Sequence, residues 1–199
     1  MRLRIFTFAI LAMTMVSFAQ AQTITNFDTT GVTTIDALGD PDNNVFIIET
    51  GTTNTLFTGV GWDVGITPID ASWYSEANLG VGATGAAASV TVAPGTADGF
   101  AGDGILVNYD SAGILDLVGP GLDFTIFDSN GDGSTDFQLE FFESFDDTDG
   151  IAEATFSNGT AGTNASGFGG LDFRTEAVPE PASFAVLGLV GFGLLRRRR

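Results

Sequence analysis

The residues best suited to binding a cation lie in one short segment, residues 128–136, with the sequence DSNGDGSTD. Side-chain oxygens occur at its first, third and fifth positions, glycine occupies the sixth, and further oxygens follow at the seventh and ninth. A hard cation such as Ca²⁺ needs about six to eight oxygen ligands, and glycine permits the sharp turn that lets them converge. The segment therefore predicts a calcium site made by Asp128, Asn130, Asp132, the Ser134 carbonyl and Asp136.

The segment departs from the EF-hand pattern at its twelfth position, which is Leu139 instead of Glu. Glu140 follows one residue late, and in an extended strand it lies about 13 Å from Asp136 at ~3.3 Å per residue. We therefore expect a strand-flanked loop in which water completes the ligand shell. The alternative is a plain polar turn, because Asn-Gly and Asp-Gly are also favoured in hairpin turns.

Two further segments are rich in carboxylates. Residues 40–44 (DPDNN) favour a turn with proline at its second position. Residues 143–150 (ESFDDTDG) favour a solvated loop, with another cation site as the alternative.

A few aromatic residues could bind carbohydrate. Trp62, Trp73, Tyr74 and Tyr109 combine a ring that can stack on a sugar with a polar group. Trp62, Trp73 and Tyr74 are the candidate contact residues of such a site. Packing in the core is the alternative for each of them.

The composition excludes several kinds of chemistry. The chain of 199 residues has no Lys, His or Cys, so it lacks Schiff-base, P-loop, thiolate, imidazole and Ser-His-Asp chemistry. Residues 22–177 contain all but one of the 25 acidic residues and a single Arg, so nucleic acid is not an expected partner. With so many acids, a carboxylate pair at the spacing of a glycoside hydrolase arises by chance, and we expect no enzymatic activity.

The segments that carry these residues are predicted to be short β-strands. In residues 22–177, β-rich runs alternate with Gly, Asp, Asn, Thr and Ser, which predicts one all-β domain, a jelly-roll-like β-sandwich. Residues 122–127 and 136–141 alternate in polarity and are predicted to pair as a hairpin around the acidic loop. Phe137, Leu139 and Phe141 then face the core, while Asp136, Gln138 and Glu140 face outward.

The two ends of the chain predict export. Residues 1–21 combine Arg2 and Arg4 with an apolar run and an Ala-Gln-Ala site, so we expect a signal peptide that is cleaved after Ala21. Near the C-terminus, Val178-Pro179-Glu180-Pro181 precedes an apolar segment, residues 182–195, and four terminal Arg. As a helix this segment spans about 21 Å of a ~30 Å hydrocarbon core, and the Arg cluster should stay cytoplasmic.

Residues 178–199 resemble the PEP-CTERM sorting signal of exported proteins from Gram-negative bacteria that make exopolysaccharide. The resemblance implies that exosortase recognises Pro179, Glu180 and Pro181 while the transmembrane helix holds the chain in the inner membrane. Processing then sends the protein to the cell surface or the extracellular matrix. More weakly, the spacing of residues 59–64, 72–76 and 137–147 is similar to secreted jelly-roll sandwiches and to the P domain of proprotein convertases.

These observations favour an exported, non-enzymatic structural or adhesive component associated with exopolysaccharide. The alternative is a carbohydrate-binding module with a calcium-ordered loop, followed by a carbohydrate-active hydrolase.

Overall fold

A computed structural model describes residues 21–51, 55–69, 72–95, 102, 104–145, 150–162 and 164–178. These residues form β-strands and no helix. The predicted signal peptide up to Gln20 and the chain from Pro179 onward lie outside the described residues.

The strands follow the runs of β-branched and aromatic residues, and Gly, Pro, Asp and Asn separate them. Their bounds are β1 Gln22–Phe27, β2 Thr33–Thr34, β3 Asn44–Glu49, β4 Thr55–Pro68, β5 Ala77–Ala83, β6 Val90–Val92, β7 Val107–Asp110, β8 Leu115–Asp116, β9 Phe124–Ile126, β10 Asp136–Glu143, β11 Ala154–Asn158 and β12 Gly170–Ala177.

The first sheet has eight strands and is built around the long strand β4. One edge of β4 pairs with β12 and then β11, and the other pairs with β9, β8 and β7 in turn, all antiparallel. Glycine is needed where β4 meets residues 113–115. A Cβ at Gly59 would lie 2.5 Å from Ile114 Cγ2, and one at Gly61 would lie 2.8 Å from the Gly113 carbonyl oxygen.

The second sheet has four strands in the order β3-β10-β5-β6. Its inner face packs on the first sheet through edge-to-face phenylalanine pairs. Phe137 lies 5.0 Å from Phe173 of β12, and Phe141 lies 5.1 Å from Phe156 of β11, between ring centroids. All four rings are fully buried, and such pairs add to the stabilisation that burial provides. The predicted all-β sandwich is therefore confirmed.

The predicted hairpin is wrong. The strand within residues 122–127 pairs with β4 in the first sheet, whereas β10 pairs with β3 and β5 in the second. Only an isolated bridge between Phe127 and Asp136 joins them, so residues 128–135 cross from one sheet to the other. Alternation in polarity identifies the apolar face of a strand but does not identify its neighbour.

The outer face of β10 also differs from the prediction. Phe137, Leu139 and Phe141 are buried in the core as expected. Asp136 and Glu140, which were expected to face outward, are only 1% and 4% exposed. Residues 36–43 cover Glu140, whose carboxylate accepts hydrogen bonds from Gly39 N and Asn43 Nδ2.

Candidate functional site

The loop at residues 128–136 bonds most of its polar side chains to its own backbone, and Oδ1 of the buried Asp136 is left without a hydrogen-bond partner. Asp128 accepts a hydrogen bond from Gly131 N at 2.6 Å through Oδ1 and one from Gly133 N at 2.9 Å through Oδ2. Both glycines have left-handed backbone, with φ of 81° and 95°, a conformation that disfavours other residues. Asp128 therefore acts as the acceptor around which the loop turns.

The next two predicted ligands also bond within the loop. Asn130 Oδ1 accepts from Asp132 N at 3.0 Å, and Asp132 Oδ1 accepts from Ser134 N at 2.8 Å. Asn130 Nδ2 donates to the second carboxylate oxygen of Asp132 at 3.0 Å. Such local bonds stabilise a turn without a ligand.

Asp136 lies at the end of this loop and is buried. Its Oδ2 accepts from Ser129 N at 3.1 Å and from Ser129 Oγ at 2.8 Å. Burial by itself would raise the pKa of Asp136, but the neighbouring Thr84 hydroxyl and the bonds from Ser129 outweigh burial and hold this pKa below 3.8. Asp128, Asp132 and Asp136 do not bring one oxygen each within 4.8 Å of one another. Calcium binding by this loop stays a prediction.

A different set of acidic side chains does converge. In the part of the chain that the structure describes, the group of three whose carboxylate oxygens lie within 4.8 Å of one another is Asp36, Asp40 and Asp42, here called the Asp36 cluster. The predicted turn is present, because Asp42 N donates to Asp40 Oδ1 at 3.0 Å and Asn43 N donates to the Asp40 carbonyl. The sequence indicated the turn at residues 40–44 but did not indicate that the Asp36 carboxylate lies next to it.

Strand β10 positions the Asp36 cluster. The Asp36 carbonyl accepts from Glu143 N at 2.9 Å, and Glu140 Oε1 accepts from Gly39 N at 2.6 Å and from Asn43 Nδ2 at 2.8 Å. Asn43 Oδ1 also accepts from Asp36 N at 2.9 Å. These bonds join both ends of residues 36–43 to one another and to the second sheet.

Glu143 is a buried carboxyl beside this cluster. Burial raises its pKa to about 8, although hydroxyl groups of Thr34 and Ser72 bond to it, and the charges of Glu153 and Glu76 raise this pKa further. A raised pKa is typical of a catalytic acid. The Glu143 side chain is only 1% exposed, however, so it presents no surface to a substrate.

The predicted carbohydrate-binding residues lie in different environments. Tyr74 is 2% exposed, its hydroxyl donates to the Ile105 carbonyl at 2.7 Å, and its ring lies 5.9 Å from that of Tyr109. Its ring therefore offers no exposed face to a sugar. Trp62 and Trp73 are half-buried, and Trp62 also packs against the core.

The sorting residues follow the last strand. Strand β12 ends at Ala177, and Pro179, Glu180 and Pro181 lie outside the described residues, as does the predicted transmembrane segment 182–195. The described residues include no helix of the length and apolar character needed to cross a membrane.

Two solved structures that match this chain are distant likenesses. A structure of infectious bursal disease virus, Gx strain, matches with a TM-score of 0.31 and 11% identity over 80% of this chain and 37% of the viral chain. The VP2 subviral particle of that virus matches with a TM-score of 0.30 and 9% identity over 81% of this chain and 42% of the viral chain. The chain thus spans well under half of these viral chains, and neither likeness supports an argument about function. A comparison with curated proteins finds no match.

The C-terminal segment matches a family model. Residues 177–199 match the PEP-CTERM protein-sorting motif, which confirms the resemblance found in the sequence. This motif indicates membrane anchoring and processing by exosortase. The chain therefore carries a PEP-CTERM sorting motif and is an exported protein, anchored in the membrane before processing and then found at the cell surface or outside the cell.

Proposed function

We propose that the β-sandwich is a non-enzymatic structural or adhesive component of an extracellular layer that contains exopolysaccharide. The observation that carries this proposal is the sorting motif, which begins at Ala177, the last residue of β12. A domain joined directly to an export signal acts where the signal delivers it.

The charge of the domain supports a role in an anionic matrix. Arg174 is the only basic residue that the structure describes, and it bonds to Thr58 and forms an ion pair with Asp116 at 2.5 Å. The remaining surface is strongly acidic, which keeps the domain soluble and attracts divalent cations. Such cations can bridge the domain to an acidic polysaccharide.

The burial of Glu143 supports a non-catalytic role for the domain. Burial raises the pKa of this carboxyl to about 8, and the second sheet and the segments around Thr34 and Ser72 enclose it. A glycoside hydrolase needs its acid in contact with the sugar.

Localisation in the native host tests the proposal. We expect the wild-type protein in the exopolysaccharide fraction, and in the medium when the host cannot make exopolysaccharide. The Pro179→Ala/Pro181→Ala variant should stay in the membrane fraction, whereas the control Pro120→Ala, in an exposed loop, should behave as wild type. A wild-type protein whose distribution does not depend on exopolysaccharide would contradict the proposal.

Carbohydrate binding is the second candidate, favoured by the partial exposure of Trp62 and Trp73. A glycan array with Ca²⁺ present should give a signal that Trp62→Ala or Trp73→Ala reduces at least tenfold. Tyr74→Phe, which keeps a buried ring in the core, is the matched control. No signal, or one that both tryptophan variants keep, would exclude this function.

A further inference from the structure

The geometry points to a Ca²⁺ site at the Asp36 cluster, formed by the carboxylates of Asp36, Asp40 and Asp42. This site does not depend on the proposed role in the extracellular layer. It also differs from the loop at residues 128–136 that the sequence suggested.

The first argument is an unpaired oxygen on a buried side chain. Asp36 is 1% exposed, and its Oδ1 accepts a hydrogen bond from Gly150 N at 2.8 Å. Its Oδ2 is buried and has no hydrogen-bond partner. Because a buried carboxylate oxygen without a partner is costly, a cation bound at Asp36 Oδ2 would stabilise the fold.

The second argument is charge. Three carboxylates lie within 4.8 Å of one another, and like charges at this distance repel strongly near a protein interior. The chain has no Lys or His, and Arg174, the basic residue that the structure describes, is already engaged with Asp116. A divalent cation would neutralise the cluster.

The third argument is that the fold holds the cluster in place. Glu140 and Asn43 bond to the backbone of residues 36–43 and to each other, and these bonds hold the turn against β10. None of these bonds uses a carboxylate of the cluster. A preformed arrangement loses less conformational entropy when it binds a ligand.

The ligand chemistry selects the cation. Carboxylate oxygens suit hard cations, so the site favours Ca²⁺ or Mg²⁺ over softer metals. Asp42 is exposed and Asp40 half-buried, so both lie on an open turn where water can complete the shell. Mg²⁺ demands a near-ideal octahedron, whereas Ca²⁺ accepts irregular sets and binds extracellular modules at millimolar concentrations.

Thermal unfolding of the full-length chain in detergent tests the site. We expect 10 mM CaCl2 to raise the Tm by about 5 °C relative to EDTA, because the folded state binds the cation. The Asp40→Asn/Asp42→Asn variant changes two accessible side chains and keeps the amide oxygen that Asp42 N needs, so it should fold and lose this shift. Equilibrium dialysis with radioactive Ca²⁺ should show a matching loss of one ion per chain.

The matched control is Asp128→Asn/Asp132→Asn, which removes the same charge from the other acidic loop and should keep the shift. A wild-type Tm that CaCl2 does not change, or a shift that the Asp40→Asn/Asp42→Asn variant retains, would overturn the site. Loss of the shift in the control would also overturn it, and an equal shift with MgCl2 would overturn the choice of Ca²⁺.

Discussion

The Asp36 cluster and the loop at residues 128–136 are both acidic turns next to β10, yet their carboxylates differ in what they contact. In the loop, Asp128, Asn130 and Asp132 accept hydrogen bonds from backbone N–H groups two to five residues along the chain. In the cluster, the packing of residues 36–43 on β10 holds Asp36 next to Asp40 and Asp42. One oxygen of Asp36 has no hydrogen-bond partner, as is also true of Asp136 at the end of the loop, but only in the cluster do three carboxylates converge among the described residues.

This difference has a physical cause. Closely spaced Asp, Asn and Gly residues bond readily to their own backbone, so a motif of cation-binding type can be complete without a cation. In the cluster, Asp40 also accepts from a nearby backbone donor, Asp42 N, but Asp36 Oδ2 has no donor within the described residues. The more promising cation site is therefore the one with the less recognisable sequence.

The largest expected effect concerns Glu143, which contacts the same segment through its backbone. Burial raises its pKa from 4.5 to about 8, so its stabilisation is complete below pH 4.5 and is lost as the pH rises through 8. At ~1.4 kcal/mol per pKa unit, the wild-type free energy of unfolding should fall by several kcal/mol over this range. Glu143→Gln should remove most of this decline.

Urea unfolding in EDTA at several pH values measures this effect. EDTA keeps cation binding at the Asp36 cluster out of the comparison. Glu49→Gln, which removes an exposed carboxyl from the neighbouring strand β3, is the control. A Glu143→Gln variant with the wild-type pH dependence would show that the Glu143 carboxyl ionises freely in the folded protein.

A smaller loss of stability is expected from substitutions at Asp128, in the loop at residues 128–136. Asp128→Ala removes the acceptor of two backbone hydrogen bonds, so it should lower the free energy of unfolding by about 2 kcal/mol at ~1 kcal/mol per bond. Asp128→Asn keeps one acceptor oxygen and should lose about half as much. Because these bonds need no cation, urea unfolding should give the same losses in EDTA and in CaCl2. A loss seen only in CaCl2 would place a cation in this loop.

The Asp36→Asn variant should be more stable than the wild type in EDTA and less stable in CaCl2. In EDTA, Asp36→Asn removes a buried charge that faces two like charges, so it should stabilise the fold by on the order of 1 kcal/mol. In CaCl2 the wild-type protein gains the bound cation and should become the more stable of the two. Urea unfolding in the two buffers measures both values. A variant that is less stable in both would mean that the Asp36 charge is already compensated.

The smallest effect is expected from monovalent salt. NaCl screens repulsion across the whole acidic surface, so at the ionic strength of 10 mM CaCl2 it should raise the Tm by about 1 °C or less. The wild type and the Asp40→Asn/Asp42→Asn variant should respond alike. If NaCl reproduces the CaCl2 shift at equal ionic strength, screening explains both and the two acidic regions do not differ in cation binding.

The sequence predicted features that depend on local pattern. The alternation of Phe137, Leu139 and Phe141 identified the core face of β10, and residues 178–199 identified the sorting signal. It did not predict what depends on long-range packing. The hairpin prediction was wrong because β9 pairs with β4 and not with β10. Asp36 was missed because its position depends on contacts with distant residues such as Glu143. The sequence also left open whether Tyr74 contacts a sugar or packs in the core, because the partner of its hydroxyl, Ile105, is 31 residues away.

The pairing of β1 with β12 affects how the domain bears a load. Strand β12 lies between β1 and β4, and Gln22 pairs with Glu176 one residue before the matched motif begins. Tension from a membrane tether would enter at Ala177, and a pull along the axis of β12 would load its ladders to β1 and β4 in shear, so that many hydrogen bonds share the force. A tethered domain would then withstand pulling, while a cut beyond Ala177 would free it intact.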